Sequence, residues 1–153
     1  MSQDNAKSIA NVLSYIKQRG GFAGFERYAY EHYDINSALQ IVEAIGKSRN
    51  PKFVIDDENR FAYTNFIKWC HGDATMRAMN PMTGEEQDGD LNRGIYIAGN
   101  TGSGKSWCLE IMLAYSQAMG FAISFDDGTK EVDRPLFWAI TRADEVCQEY
   151  VAN

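Results

Sequence analysis

Eight consecutive residues, Gly99, Asn100, Thr101, Gly102, Ser103, Gly104, Lys105 and Ser106, set three glycines, a lysine and a hydroxyl at fixed spacing. Glycine permits backbone angles that other residues resist. Successive N–H groups can therefore turn to one side and form a nest for an anion. A helix predicted to begin at Lys105 adds the positive end of its dipole at the same place. The Lys105 ammonium then reaches the β- and γ-phosphates of a nucleotide, and the Ser106 hydroxyl is a ligand for Mg²⁺. The backbone N–H of Trp107, the next residue, is expected to face the α-phosphate. The chemistry expected is binding of a nucleoside triphosphate, ATP with Mg²⁺, although nothing in the pattern separates ATP from GTP. The plainer alternative is a glycine-rich turn that contains Lys-Ser by chance.

The elements needed to hold such a loop are legible on both sides of it. Gly94, Ile95, Tyr96, Ile97 and Ala98 are apolar and β-branched, like a buried strand running into the loop. A helix is predicted over 105–119, with Leu109, Met112, Leu113 and Ser116 on one face and Gly120 as its stop. Strands are predicted over 121–125 and 136–140, joined by a turn-rich connection over 126–135. Thr141 or Asp144 can cap a last helix running to Tyr150. This order predicts an α/β fold, the first strands of a parallel sheet.

Turnover requires more than a phosphate cradle: an acid that holds the metal and a group that orients water. Asp126 and Asp127 close an apolar strand, so Asp126 is a candidate metal-linked residue. The plainer reading makes the pair a solvated strand end. Asp144, Glu145 and Glu149 read as a solvated helix face, and nothing in the sequence fixes Arg134 or Arg142 near a phosphate. Only three strands follow residue 93, against about five for a complete sheet of this kind, so the chain is expected to stop within its nucleotide-binding domain.

The first half reads as helical. Ile9, Val12, Leu13 and Ile16 keep to one helix face, and Gly20-Gly21 is a stop signal. Phe22, Phe25, Tyr28 and Ala29 repeat that spacing and predict a second short helix. Asp34, Asn36 and Ser37 are capping candidates for a third, with Leu39, Val42 and Ile45 inside and Gly46 near its end. Residues 48–51 read as a turn. Asp56 or Asp57 can cap a further helix with Tyr63, Phe66, Ile67 and Cys70 on its inner face, ending near Gly72. Residues 80–93 are polar, acidic and rich in turn formers, as in a surface loop. The organisation expected is a helical segment over 1–52, a possible partner-docking region, and a nucleotide-binding part over 53–153. The latter divides into a helical lead-in (53–79), the acidic loop (80–93) and the loop-bearing portion (94–153).

Composition narrows the classes. The chain has 153 residues, 44% hydrophobic and 12% aromatic, enough for a packed core. No apolar run approaches the ~20 residues that span a bilayer, and the polar start does not read as a signal peptide. Three cysteines, Cys70, Cys108 and Cys147, lie far apart with only His32 and His71 to join them, which argues against a disulfide framework or a zinc site. A cytoplasmic location is expected. The net charge of −6 is uneven, +2 over residues 1–52 and −8 over 53–153. Nonspecific nucleic-acid affinity rests on clustered positive charge, so single-stranded DNA is at most a weak partner through the first segment. There, Phe22, Phe25, Tyr28, Tyr30 and Tyr33, with Arg19 and Arg27, can stack on bases, dock a partner or simply fill a core. The Trp107 ring reads as core or subunit contact, and His71 as a surface or helix-capping residue.

The stretch from Leu91 to Ser106 resembles the nucleotide-binding loop of AAA+ P-loop ATPases, nearest to the DnaC-like helicase loaders and the IstB-like transposition helpers. Residues 138–150, a strand ending in a small polar residue before a helix, are similar to that branch. So is the helical lead-in over 56–72. The resemblance covers about residues 53–153. It implies an ATPase that acts on a DNA-associated assembly, with a replicative helicase or a transposase as partner. The family's later acidic strand, sensor residue and arginine finger have no counterparts here, so ATP binding without turnover is what the resemblance supports. Two other classes stay open: a non-catalytic nucleotide- or partner-binding module, and a P-loop kinase-like transferase using Asp126 or Asp127.

Overall fold

The computed structural model describes residues 8–18, 25–30, 32–100, 102, 104–126, 131–136 and 138–140. Helix α1 spans Ile9–Gln18. It leaves Ile9 and Leu13 largely exposed. Helix α2 spans Ile35–Arg49 and starts as expected at Asp34, whose carboxylate accepts the Ser37 N–H at 3.0 Å. The cap takes up one of the donors that a helix start leaves without a partner. Ala38, Leu39, Val42 and Gly46 form the buried face of α2. Gly46 lies near the end of the helix as expected, in its last turn, where a Cβ would run into the Phe53 ring.

Helix α3 spans Arg60–His71. Neither Asp56 nor Asp57 is its cap. Asn59 holds that position without a side-chain cap bond, and the Asp56 carboxylate instead accepts the N–H groups of Glu58 (3.0 Å) and Asn59 (3.2 Å) in the turn before it. Gly72 ends α3 with φ 64°, and a side chain there would strike the Tyr28 carbonyl. Helix α4 spans Lys105–Met119, the predicted bounds, and ends at Gly120 with φ 69°. Its inner face is Cys108, Ile111, Met112, Tyr115 and Ser116, so the face is turned somewhat from the expected one. These faces meet in one core. Val42 of α2, Ile67 of α3 and Met112 of α4 are completely buried in it, with Ile55, Phe121 and Leu136 filling the spaces between the helices.

The strands depart from expectation. Strands β1 (Phe25–Arg27), β4 (Ala122–Asp126) and β5 (Glu131–Pro135) form a sheet in the order β1-β4-β5. Both pairings are antiparallel, with Phe25 opposite Phe125 and Ala122 opposite Pro135. The fold is mixed α/β, but its described strand pairs are not parallel. The connection between β4 and β5 covers only residues 127–130, whereas a parallel crossover needs a dozen residues or more. The expected turn-rich stretch 126–135 therefore contains a strand. The second short helix expected around residues 22–29 is replaced over Phe25–Arg27 by strand β1, because β4 supplies a partner there. Residues 136 and 138–140 are not a strand: the Leu136 N–H bonds to the Phe121 carbonyl at 2.8 Å, and Trp138 turns inward to Phe66 and Trp69.

Residues 94–98 are not a strand either. Ile95 and Ile97 pack on the core while Tyr96 is 85% exposed, which keeps a strand's alternation, yet no described strand lies beside them. The end of the expected helical lead-in is a strand, β2 (Arg77–Met79), which forms a hairpin with β3 (Glu86–Asp88) inside the expected acidic loop, with Arg77 paired to Glu86 and Asp88. The Gly20-Gly21 stop, Phe22, Asp127 and the helix expected over 141–150 lie outside the described residues. Among the described residues, no helix is long and apolar enough to cross a membrane.

Candidate phosphate-binding loop

The first turn of α4 sets the site. Gly104 occupies the N-cap position with φ 84°, and Gly102 has φ 82°. A Cβ at either glycine would meet no atom within 4 Å, so the requirement for glycine is conformational rather than steric. A left-handed backbone costs an L-residue roughly 1–2 kcal/mol. Two such positions directly before a helix start are the backbone setting in which a loop can turn its amides to an anion. Thr101 and Ser103 lie outside the described residues.

Lys105 folds back across the loop. Its Nζ donates to the carbonyl oxygens of Gly99 and Asn100, each at 2.7 Å. Those are short, charge-assisted contacts of the kind a phosphate oxygen would offer with a full negative charge. The structure therefore brings the Gly99 and Asn100 carbonyls onto the Lys105 ammonium, with left-handed Gly102 and Gly104 between them in the chain and Ser106 exposed on the first turn of α4. This fits a triphosphate: the left-handed glycines, the helix start and the ammonium adjoin one another, and two of the ammonium's contacts are to neutral carbonyls that a phosphate can replace. It also fits Mg²⁺ held chiefly by phosphates and waters, since that ion keeps much of its water shell and takes few protein ligands. Asp126 is the last residue of β4, opposite Glu131 in the register. The fifteen-residue α4 stands between the loop and the start of that strand. Among the described residues no group of three His, Cys, Asp or Glu side chains is arranged to hold a metal.

Trp107 is half-buried, and its surroundings were not legible from the motif. The Arg49 guanidinium lies 5.6 Å from the centre of its ring and pairs with the Glu110 carboxylate one turn further along α4. The Phe53 ring lies 6.4 Å away. These groups come from α2, the segment after it and α4, so only their spatial meeting reveals them. A tryptophan directly after the motif was the one sequence signal.

His71 is a correction. It is neither a surface residue nor a helix cap but 3% exposed. Its Nδ1 faces the Tyr30 carbonyl at 3.3 Å, and its Nε2 lies 2.7 Å from the Tyr115 hydroxyl. A carbonyl can only accept, so Nδ1 carries the proton and Nε2 accepts from Tyr115. The ring stacks on Tyr33 at 3.8 Å, and Tyr33 donates to Asp73 at 2.6 Å. Burial holds the His71 pKa below its usual value, against the raising effects of the Tyr30 bond and of Asp73. The aromatics of this segment divide: Tyr30 and Tyr33 pack on the core, whereas Tyr28 is 40% exposed and donates to Asp133 at 2.6 Å. Cys70 and Cys108 are buried free thiols, pushed up by burial to about 12 and about 11. Comparison of the chain with protein-family models, curated proteins and solved structures returns no match.

Proposed function

We propose that residues 99–106 bind the triphosphate of a nucleotide, ATP with Mg²⁺, and that the chain is a nucleotide-binding protein of the DnaC-like AAA+ type. The observation that carries this reading is the convergence at one helix start: left-handed Gly102 and Gly104, the start of α4, and the Lys105 ammonium folded over the loop. On binding, Lys105 exchanges two carbonyl oxygens for phosphate oxygens. Backbone N–H groups of the loop and of Trp107 orient the phosphates, and Ser106 supplies one hydroxyl to the metal. Mg²⁺, when bound, neutralises phosphate charge and fixes the phosphates' geometry.

Residues 94–98 keep a strand's alternation and lead straight into the loop, which supports reading this part as the opening of a P-loop sheet. A DNA-associated partner, such as a replicative helicase or a transposase, and a cytoplasmic location belong to the same reading and rest on sequence resemblance. The proposal is confined to binding of the nucleotide.

The test is Lys105→Ala. The Lys105 ammonium donates to the loop carbonyls of Gly99 and Asn100, and the variant is expected to keep the wild-type circular dichroism spectrum. Its affinity for a fluorescent ATP analogue should fall by roughly two orders of magnitude, as expected for charge-assisted contacts worth about 2–3 kcal/mol. Equal affinity in wild type and variant would sink the assignment.

A further inference from the structure

We propose that Arg49 is a positioning residue for the phosphate loop and that it carries the nucleotide's presence to helix α2. This rests on the reading of residues 99–106 as a nucleotide site. The first turn of α4 follows the loop directly, and the end of α2 packs against it. Arg49, the last residue of α2, pairs with Glu110 and covers the Trp107 ring at 5.6 Å. Phe53 meets Trp107 at 6.4 Å and Tyr63 at 5.7 Å, and it is seated where Gly46 leaves room on α2. Trp107 is covalently next to Ser106, so any shift of the α4 start as Lys105 changes acceptors is felt at this ring.

Magnitudes separate positioning from mere stability. The side chains of Arg49 and Glu110 are 52% and 33% exposed. An ion pair that open to water contributes about 0–1 kcal/mol to folding, and an exposed cation over an aromatic ring about 0.5–1 kcal/mol. Removing Arg49 therefore leaves the fold in place. What it removes is the one charged contact, among the described residues, between the α2 end and the first two turns of the loop's helix. Lysine keeps the charge but not the planar fork, so Arg49→Lys should retain part of the effect.

The experiment compares wild type, Arg49→Ala, Arg49→Lys and Lys105→Ala by calorimetric titration with a non-hydrolysable ATP analogue, and by amide hydrogen exchange over residues 44–50 with and without it. Wild type should bind and show slowed exchange at the α2 end. Arg49→Ala should bind about five-fold more weakly, with its melting temperature little changed and the exchange response lost. Arg49→Lys should fall between the two. An Arg49→Ala protein that binds and responds like wild type overturns this inference while leaving the nucleotide site intact. A wild-type chain without affinity, or one that Lys105→Ala does not impair, overturns both.

Discussion

At Gly104 two demands meet in one residue. It begins α4, and it must do so with φ 84°. Because nothing lies within 4 Å of where its Cβ would be, Gly104→Ala tests backbone conformation alone. The variant is expected to bind the ATP analogue about ten-fold more weakly, since the roughly 1–2 kcal/mol of left-handed strain is relieved by turning the loop's amides out of line. A titration giving wild-type affinity would show that the loop's shape does not depend on this glycine. Lys105 sits beside it as the movable part. Its two carbonyl contacts at 2.7 Å hold the loop's own carbonyls toward the ammonium. The spacing of the motif disclosed these groups, because each task requires a particular residue type. It could not disclose Arg49 and Phe53, which reach Trp107 from the end of α2 and the segment after it, or the pairing of Arg49 with Glu110.

Among the elements, α2 and α4 are the pair on which the site depends, and Gly46 is the point at which they are fitted. In an ordinary helix interior Gly→Ala would stabilise by about 1 kcal/mol. Here the new methyl group meets the Phe53 ring, wedged between Tyr63 and Trp107. Overpacking a well-filled site costs about 1–3 kcal/mol, so Gly46→Ala is expected to be destabilising by a net amount of up to about 2 kcal/mol, read as a lower urea midpoint. An unchanged or higher midpoint would mean that the ring moves aside freely. The helices themselves were legible: apolar spacing, Asp34, Gly72 and Gly120 mark α2, α3 and α4 to within a few residues. The strands were less so. Periodicity finds a stretch fit for a sheet but not its neighbour. Thus Glu131–Pro135 was hidden in a polar run, while 94–98 and 136–140 have the composition of strands without a described partner beside them.

In the molecule as a whole, one buried imidazole joins the parts. His71 touches Tyr30 and Tyr33 from the segment before α2, Tyr115 from α4 and Phe121 from the entry to β4, with Asp73 behind Tyr33. Its pKa is depressed in the folded chain from an ordinary 6.5, with burial the largest cause. The native state thus binds this proton less readily than the unfolded one does. The stability it protects is complete above about pH 6.5 and is lost as the pH falls below that value toward the depressed one. Wild type is expected to show a lower urea midpoint at about pH 5.5 than at about pH 7.5, and His71→Gln a smaller difference between the two. An equal drop in both proteins would assign the acid sensitivity elsewhere. No sequence pattern announces such a residue, since its neighbours come from positions up to 50 apart.

The sheet carries a consequence of a different kind. Phe25 of β1 is registered with Phe125 of β4, so the first strand finds its mate only after one hundred further residues have been made. At a synthesis rate of about 5–20 residues per second, that is a delay of about 5–20 s. Contacts between α2 and α3 close far shorter loops and can form during this interval. On the ribosome, therefore, β1 is a late arrival: the helices gather first, and the chain's early strand waits with open backbone groups until β4 emerges to receive it.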